Sequence, residues 1–273
     1  MTAINTNVKS LIAQQSLAVN NRSLTKTMEQ LSTGKRINSA ADDAAGLSIS
    51  NKMTAQIRGL NQAVRNANDA ISMVQTAEGA LNEVTNMLQR MRELAVQSVN
   101  GTNSSADRTS LDAEYDQLFS EMSRISDKTT WNGMEIMGSA AAAMNFQAGP
   151  AASDTVTVTF SDISALGGMA AVSAGGVATA DTASAAITNL DTIISTVDAY
   201  RSTLGAVVNR LNYAADNLTN VSTNTAASRS RILDTDYAAA TTELARTQII
   251  QQAATAMLAQ ANQSPSSVLS LLK

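Results

Sequence analysis

The sequence predicts a mainly α fold: an elongated helical bundle or coiled coil built from both chain ends, with a short β-hairpin or loop-rich insertion in the middle. Three observations support this prediction. Apolar residues recur at heptad spacing in several segments, the 273-residue chain contains two prolines, and aromatic residues make up 3% of it. Few prolines permit long uninterrupted helices. Heptad repeats indicate helices that bury a stripe against other helices.

The first predicted helix occupies the N-terminal segment. Leu17, Leu24 and Leu31 recur every seven residues, and Met28 lies four residues after Leu24. Such a narrow stripe suits one partner helix better than a wide core. N-cap candidates in the segment 39–43 predict the start of the next helix.

The second predicted helix carries two stripes. One heptad position holds Leu60, Ala67, Val74, Leu81, Leu88 and Ala95, and the other holds Ile57, Val64 and Ile71. Where the second position turns polar, a new stripe begins with Val84, Met87, Met91 and Leu94. A helix with two stripes is covered from two sides, as in a bundle. Asn100-Gly101 predicts its end, because both residue types favour a left-handed C-cap.

A third helix is predicted to begin in the segment 103–107 and to end at Lys128. Its apolar positions are Leu111, Tyr115, Leu118, Met122 and Ile125, at alternating spacings of four and three. A lysine in the last turn suits the negative end of the helix dipole. The segment 129–133 then predicts a turn.

The insertion, residues 139–180, has a different pattern. Thr155–Phe160 alternates with period two and is rich in β-branched residues, which predicts a strand. Gly167-Gly168 and Gly175-Gly176 predict turns. We therefore expect a hairpin or loop structure here.

Heptads return after the insertion and indicate two more helices. One position holds Leu190, Val197, Leu204, Leu211 and Leu218. We expect this helix to weaken at the polar stretch 222–225, and a final helix to begin at Asp234 or Asp236 and to end at Pro265. The apolar tail that follows is a poor candidate for free solvent exposure.

The composition excludes several classes of function. Without histidine and cysteine, the chain lacks His-dependent acid–base and nucleophilic catalysis, ordinary zinc sites and disulfides. A net charge of −4 argues against nucleic acid as the main partner. No apolar run approaches the roughly 18 residues needed to cross a membrane, and the N-terminal segment lacks the apolar core of a Sec signal peptide. We therefore expect no enzyme activity, no cofactor, no metal and no membrane insertion.

Two fragments of ligand-binding motifs do not predict binding sites. Gly34-Lys35 lacks the upstream glycine and the following hydroxyl residue of a phosphate loop. Asp234-Thr235-Asp236 lacks the later glycine and glutamate of a calcium loop. Helix capping explains such acidic residues better than ligand binding.

The two end helices have stripes too narrow to fold alone. We expect them to pair with each other and to leave further apolar surface for identical neighbours. The predicted self-assembly residues are Ile4, Leu11, Leu17, Leu24, Met28, Leu31, Leu244, Ile250, Met257, Leu258, Val268, Leu269, Leu271 and Leu272. The predicted bundle core is Leu60, Val64, Ile71, Val74, Leu81, Leu88, Leu111, Leu118, Leu190, Val197, Leu204 and Leu211.

Two long blocks of the sequence resemble bacterial flagellins. The first begins LSTGKRINSAADDAAGLSISNKMTAQIRGL and continues through NEVTNMLQRMRELAVQSVNGTNSSADR. The second is SRSRILDTDYAAATTELARTQIIQQAATAMLAQANQSPSSVLSLL. The resemblance extends over residues 1–135 and 185–273, while the short insertion does not match.

The resemblance implies three layers in the assembled protein. Residues 1–44 would pair with 235–273 as an inner coiled coil that lines a central channel. Residues 45–138 and 181–234 would form the helical bundle of the filament wall. Residues 139–180 would be a short variable region that faces outward.

The resemblance also implies a function. The chain would be a structural subunit of the flagellar filament, self-assembling into a hollow helical propeller for swimming motility outside the cell. Its partners would be identical subunits, the type III flagellar export apparatus, an export chaperone near Ile249–Leu272, and the hook-associated and cap proteins. Export by that route needs no Sec signal.

A further implication is recognition by the animal Toll-like receptor for flagellin. The stretch QRMRELAVQS resembles the part of flagellins that this receptor contacts. The matching or neighbouring residues are Leu88, Gln89, Arg90, Glu93, Leu94, Gln97 and Glu114. The alternative is that these residues serve only the bundle, which requires Leu88 and Leu94 in any case.

Other functions remain open at this stage. A hook–filament junction protein shares flagellin-like ends, although the long match favours a filament subunit. A non-polymerising soluble coiled-coil protein is a second alternative. A metallopeptidase insertion, found in some flagellins, is excluded here by the lack of histidine.

Overall fold

The computed structural model describes residues 6–165, 169, 172 and 175–270, with side chains as far as residue 263. These residues are mainly helical, which confirms the predicted fold class. The helices are α1 (Val8–Thr33), α2 (Ala44–Val99), α3 (Ser105–Lys128), α4 (Ala180–Leu233) and α5 (Tyr237–Ser270). The strands are β1 (Thr130–Trp131), β2 (Met134–Glu135), β3 (Ala143–Gln147) and β4 (Thr155–Thr159).

The chain divides into two compact units. Unit 1 comprises residues 1–57 and 223–273, and unit 2 comprises residues 58–222. Helices α2 and α4 each contribute residues to both units. Unit 1 therefore contains both ends of the chain, and unit 2 contains the middle.

In unit 1, α1 packs along α5. Two rows of buried or half-buried positions face each other. The row on α1 is Ser10, Ala13, Leu17, Asn20, Leu24, Thr27 and Leu31, and the row on α5 is Ala240, Leu244, Thr247, Gln251, Ala254, Leu258 and Ala261. We call these two rows the seam. Their alternating spacings of three and four residues are those of a two-stranded coiled coil.

The main core of unit 2 lies among α2, α3 and α4. Of the predicted core residues, Leu60, Val74, Leu81, Leu88, Leu190, Val197, Leu204 and Leu211 are buried. Val64, Ile71, Leu111 and Leu118 are half-buried. Leu111 and Leu118 pack against the main cluster from α3, and Ile71 packs against a smaller cluster that includes Leu211 and Val156.

Side chains and backbone turns define the helix boundaries. The Asp43 carboxylate accepts a hydrogen bond from the Gly46 amide at 2.8 Å and caps the start of α2. Ser104 and Asp107 form a reciprocal capping box at the start of α3. Arg108 donates to the Ser98 carbonyl at 2.8 Å, at the C-terminal end of α2, where a cation is favourable.

Two antiparallel hairpins occupy the region between α3 and α4. The predicted turn at 129–133 is a tight hairpin that joins β1 to β2, with Asn132 and Gly133 both at positive φ. Positive φ at both central positions is the requirement of a type I′ turn. β4 lies where the strand was predicted and pairs with β3. Gly167-Gly168, a predicted turn, lies outside the described residues.

Two predictions about helix continuity are wrong. Pro265 was expected to end the final helix, yet α5 continues to Ser270. A proline removes one helix hydrogen bond and often bends a helix, but it does not have to end one. α4 also runs unbroken through the polar stretch 222–225. There Ser222 is buried and donates to Asn61 of α2 at 2.9 Å, so tertiary contact outweighs weak local propensity.

Candidate functional site

The paired end helices, α1 and α5, form the candidate functional site. The amide of Asn20 donates to the Thr247 carbonyl at 2.9 Å, and the amide of Asn7 donates to the Ala261 carbonyl at 2.8 Å. The Ser10 hydroxyl donates to the Asn262 side chain at 2.9 Å. Asn20 thus contacts residue 247, whereas Asn7 and Ser10, earlier on α1, contact residues 261 and 262, later on α5. The two helices are therefore antiparallel.

The seam between these helices mixes leucines with small and polar side chains. Ser10, Asn20, Thr27 and Thr247 are buried polar residues within it. A polar residue at a seam position lowers coiled-coil stability relative to leucine. The α1–α5 pair therefore gains less stability from its own contact than a seam of leucines would give.

The outward faces of the same helices carry large apolar side chains. On α1 these are Val8, Leu11, Ile12, Val19 and Met28, and on α5 they are Ile249, Ile250 and Met257. The side chains of Ile249 and Met257 are each 65% exposed. Exposed apolar residues at this density mark an interaction surface. We call this set the outer apolar surface.

Two grooves run beside the seam. One, of about 440 Å³, is lined by Val19 and Ile250 together with Asn20, Glu243 and Arg246. The other, of about 430 Å³, is lined by Ile12, Ala13, Met257 and Ala261 among others. Each groove combines apolar walls with hydrogen-bonding groups. That combination suits side chains from another protein surface.

The structure divides the predicted self-assembly residues into two groups. Leu17, Leu24, Leu31, Leu244 and Leu258 lie in the seam, whereas Leu11, Met28, Ile250 and Met257 lie on the outer apolar surface. Ile4, Leu271 and Leu272 lie outside the described residues. Val268 and Leu269 are on α5, beyond the described side chains. The predicted set lacks Val8, Ile12, Val19 and Ile249, which also belong to the outer surface and lie off the stripe of Leu17, Leu24 and Leu31.

Backbone hydrogen bonds join the two chain ends at the base of the seam. The Arg36 amide donates to the Leu233 carbonyl at 2.7 Å, and the Thr235 amide donates to the Gly34 carbonyl at 3.0 Å. The Arg36 guanidinium also donates to the Ile232 carbonyl, at 2.7 and 3.2 Å, near the C-terminal end of α4. We call residues 34–36, 232–235 and Tyr237 the clamp.

A charged contact secures the segment that follows the clamp. Lys26 of α1 lies 2.9 Å from one carboxylate oxygen of Asp42. The other oxygen accepts hydrogen bonds from the Asn38 and Ser39 amides, each at 3.1 Å. The hydrogen bond from Lys26, followed by those from the Ser39 and Asn38 amides, lowers the pKa of Asp42 to about 2.

The predicted receptor residues differ in accessibility. Arg90 is 49% exposed and lies 2.9 Å from both Glu93 and Glu114. Hydrogen bonds to Glu93 and Glu114 raise the pKa of Arg90. Gln89 and Gln97 are also exposed. Leu88 and Leu94 are buried in the core, so any partner that docks on the intact bundle meets only the polar members of the set.

The described residues contain no group of three or more carboxylate side chains placed to hold a metal ion. Within the same part of the chain, no helix has both the length and the apolar character needed to cross a membrane.

Comparisons with known proteins agree on one family. A family model described as the bacterial flagellin N-terminal helical region matches residues 4–142, and one described as the bacterial flagellin C-terminal helical region matches residues 187–272. A flagellin of Halalkalibacterium halodurans is 44% identical over 270 residues, covering 99% of each chain. Polar flagellin F of Vibrio parahaemolyticus is 36% identical over an alignment of 372 residues, covering 98% of this chain and 99% of that one.

Solved structures agree as well. A crystal structure of Bacillus cereus flagellin matches with a TM-score of 0.52 at 35% identity, covering 60% of this chain and 94% of that one. A putative flagellar hook-associated protein from Vibrio parahaemolyticus matches with a TM-score of 0.60, covering 71% of this chain and all of that one. Its identity is 13%, so that likeness shows a shared fold alone.

Proposed function

Because the chain belongs to the bacterial flagellin family, we propose that its outer apolar surface on α1 and α5 is the surface through which it assembles with identical subunits. The protein is a structural subunit of the flagellar filament and not an enzyme. The proposal concerns which residues make the assembly contacts.

The outer apolar surface is the observation that supports this proposal. Eight large apolar side chains on two adjacent helices are costly to leave in water, at about 25 cal/mol for each Å² of apolar area. Burial against neighbouring subunits removes that area. Contacts between different surfaces of identical subunits produce an open helical polymer when the rotation does not close a ring.

The three layers expected from the flagellin resemblance are part of the same proposal. Residues 1–44 and 235–273 line the channel, residues 45–138 and 181–234 form the wall, and residues 139–180 face outward. The weak seam of the end helices supports an inner layer that is completed only by neighbours. A subunit with such ends gains stability on assembly by mass action.

Export and its partners belong to the proposal too. The subunit leaves the cell through the type III flagellar apparatus and adds at a tip held by cap and hook-associated proteins. Before export, a chaperone covers the apolar face of α5, which includes the exposed Ile249 and Met257. Deleting residues 249–272 should abolish chaperone binding in a pull-down with the purified chaperone; retained binding would contradict this part.

Seeded elongation tests the assembly surface. Monomers released by mild heat are added to short filament seeds, and growth is followed by electron microscopy. Met257→Glu should lower the elongation rate at least about tenfold, because burying an unpaired carboxylate costs several kcal/mol. Gln252→Glu adds the same charge at an exposed position of α5 outside the outer apolar surface and should elongate nearly normally.

Each outcome of that experiment has a clear meaning. Normal elongation by Met257→Glu would refute the proposed surface. Parent monomers that cap the seeds without extending them would indicate a junction protein instead. Parent monomers that ignore seeds would favour a non-polymerising coiled-coil protein.

Receptor recognition is a second candidate function, favoured by the exposed ion-pair group on α2 and α3. We propose that Arg90 and Glu114 contact the Toll-like receptor, with Glu93 holding the guanidinium of Arg90. The double variant Arg90→Ala, Glu114→Ala should lose most receptor activation in a cell reporter assay. The matched control, Arg124→Ala with Glu121→Ala, removes another exposed ion pair, and equal losses in both variants would contradict the assignment.

A further inference from the structure

The seam between α1 and α5 repeats with little variation. One heptad row of α5 consists of Ala240, Thr247, Ala254 and Ala261, and one row of α1 contains Leu17, Leu24 and Leu31. A slide of seven residues would therefore keep small residues of this α5 row facing α1. In the other α5 row, Leu244, Gln251 and Leu258, it would exchange one glutamine with leucine. Register is weakly specified wherever such a shift preserves the contacts.

The buried Asn20 of the seam does not resolve this degeneracy. Asn20 donates to a backbone carbonyl, that of Thr247. A shift of one heptad would bring the carbonyl of Ala240 or Ala254 to the same place. Each of these residues has a small side chain and a helix carbonyl with a free lone pair. Side-chain hydrogen bonds from Ser10 to Asn262 at 2.9 Å and from Gln251 to Asn21 at 3.1 Å do favour the observed register, but each is a single bond with an exposed partner. A stronger restraint lies at the end of the pair.

The clamp has features found at a single place along the pair. Its two backbone hydrogen bonds link Gly34 and Arg36 to residues 233 and 235, immediately before α5 begins. The guanidinium of Arg36 holds the last carbonyls of α4. A seven-residue slide would break all of these bonds. We infer that the clamp sets the register of α1 against α5, with Gly34, Arg36 and Tyr237 as the positioning residues.

Gly34 is suited to this role for two reasons. It has φ +69°, a left-handed conformation that strains most side chains and β-branched ones most of all. A Cβ atom at this position would also lie 3.1 Å from the Tyr237 hydroxyl. Tyr237, the first residue of α5, thus lies directly over the last turn of α1, and its hydroxyl is 3.5 Å from the Leu31 carbonyl.

This inference rests on the proposed function, because the register decides how the outer apolar surface of α1 aligns with that of α5. Ile12 and Met257 line one groove in the observed register. An offset of one heptad displaces one half of that surface by about 10 Å, at 1.5 Å per residue. Subunits with a shifted pair would present the wrong surface to their neighbours.

Cysteine pairs measure the register directly, since the chain has no cysteine of its own. Ser10→Cys with Asn262→Cys reports the observed register, in which the two side chains are 2.9 Å apart. Ser10→Cys with Thr255→Cys reports a shift of one heptad. Each pair is oxidised in the monomer under mild conditions, and disulfide yield is measured by mass spectrometry. When the clamp is unchanged, we expect the Ser10→Cys, Asn262→Cys variant to give the higher disulfide yield.

The clamp is then broken by Gly34→Val or by Arg36→Gln. Each should lower the ratio of observed-register to shifted disulfide by about tenfold, the factor expected from losing one or two hydrogen bonds. Gly34→Asn should retain more of the parent ratio, because asparagine tolerates positive φ. The control Gly79→Val places the same side chain where nothing lies within 4 Å and should leave the ratio unchanged.

Two results would overturn the inference. An unchanged ratio in both clamp variants would show that the seam sets its own register. Loss of both disulfides together with loss of helical circular dichroism would show that the clamp supplies stability rather than register. The disulfide yields are measured in the monomer, whereas the proposed assembly surface is tested by seeded elongation. Failure of one proposal can therefore be distinguished from failure of the other.

Discussion

Replacing Leu81 with alanine tests whether unit 2 owes its stability to its aliphatic core. The Leu81 side chain is fully buried in the main cluster of α2, α3 and α4. Removing its three outer carbon atoms costs about 2.4 kcal/mol in transfer free energy, at about 0.8 kcal/mol per methylene. The remaining cavity raises the total loss in the free energy of unfolding to about 3–5 kcal/mol.

Thermal unfolding followed by circular dichroism measures this loss. For a unit of the size of residues 58–222, each kcal/mol lowers Tm by about 2–4 °C, so Leu81→Ala should lower Tm by about 6–20 °C. The control Asn82→Ala changes the adjacent exposed residue and should stay within about 0.5 kcal/mol of the parent. A Tm for Leu81→Ala within about 2 °C of the parent would refute the reasoning.

Two further predictions concern local contacts. Ser104→Ala removes the capping box at the start of α3 and should lower the free energy of unfolding by about 1 kcal/mol in a urea titration. No loss would mean that the cap is redundant. The pKa of Asp42 is about 2 in the folded protein, whereas its ordinary value is 3.8. The ionised carboxylate therefore stabilises the folded protein fully above pH 3.8, and this stabilisation is lost as the pH falls toward 2. The thermal midpoints of the parent and Asp42→Asn should therefore differ at neutral pH and converge near pH 2, and a constant difference would contradict this.

The sequence predicted the helices well because the heptad stripes of unit 2 are made of large aliphatic residues. Leu60, Leu81 and Leu88 lie seven or more residues apart on one stripe, and all three are buried. The same method was less informative for α1. There the leucines mark half of the seam, and the other half consists of Ala13, Asn20 and Thr27. A pattern of apolar residues cannot reveal a seam position that holds a polar side chain.

Contacts between distant parts of the chain also escaped prediction. The clamp joins residues about 200 positions apart, and its hydrogen bonds use backbone groups that every sequence has. Gly34 is the left-handed C-cap of α1, a role that glycine often has but that the sequence analysis did not assign. β3 was missed for a related reason: Ala143–Gln147 has little strand character of its own and is ordered by pairing with β4 and packing near Ala67.

The two units place their large apolar side chains differently. In unit 2, large aliphatic side chains face inward and are fully buried within one chain. In unit 1, the leucines of the seam alternate with small and polar residues, while Ile249, Met257 and their neighbours face solvent. If the large residues faced the seam instead, α1 and α5 would form a stable pair with nothing left for a neighbour to bury. On the proposed assembly surface, the outward-facing residues release the free energy of their burial only when a neighbour covers them, so that a folded but incomplete monomer gains stability by adding to a growing filament.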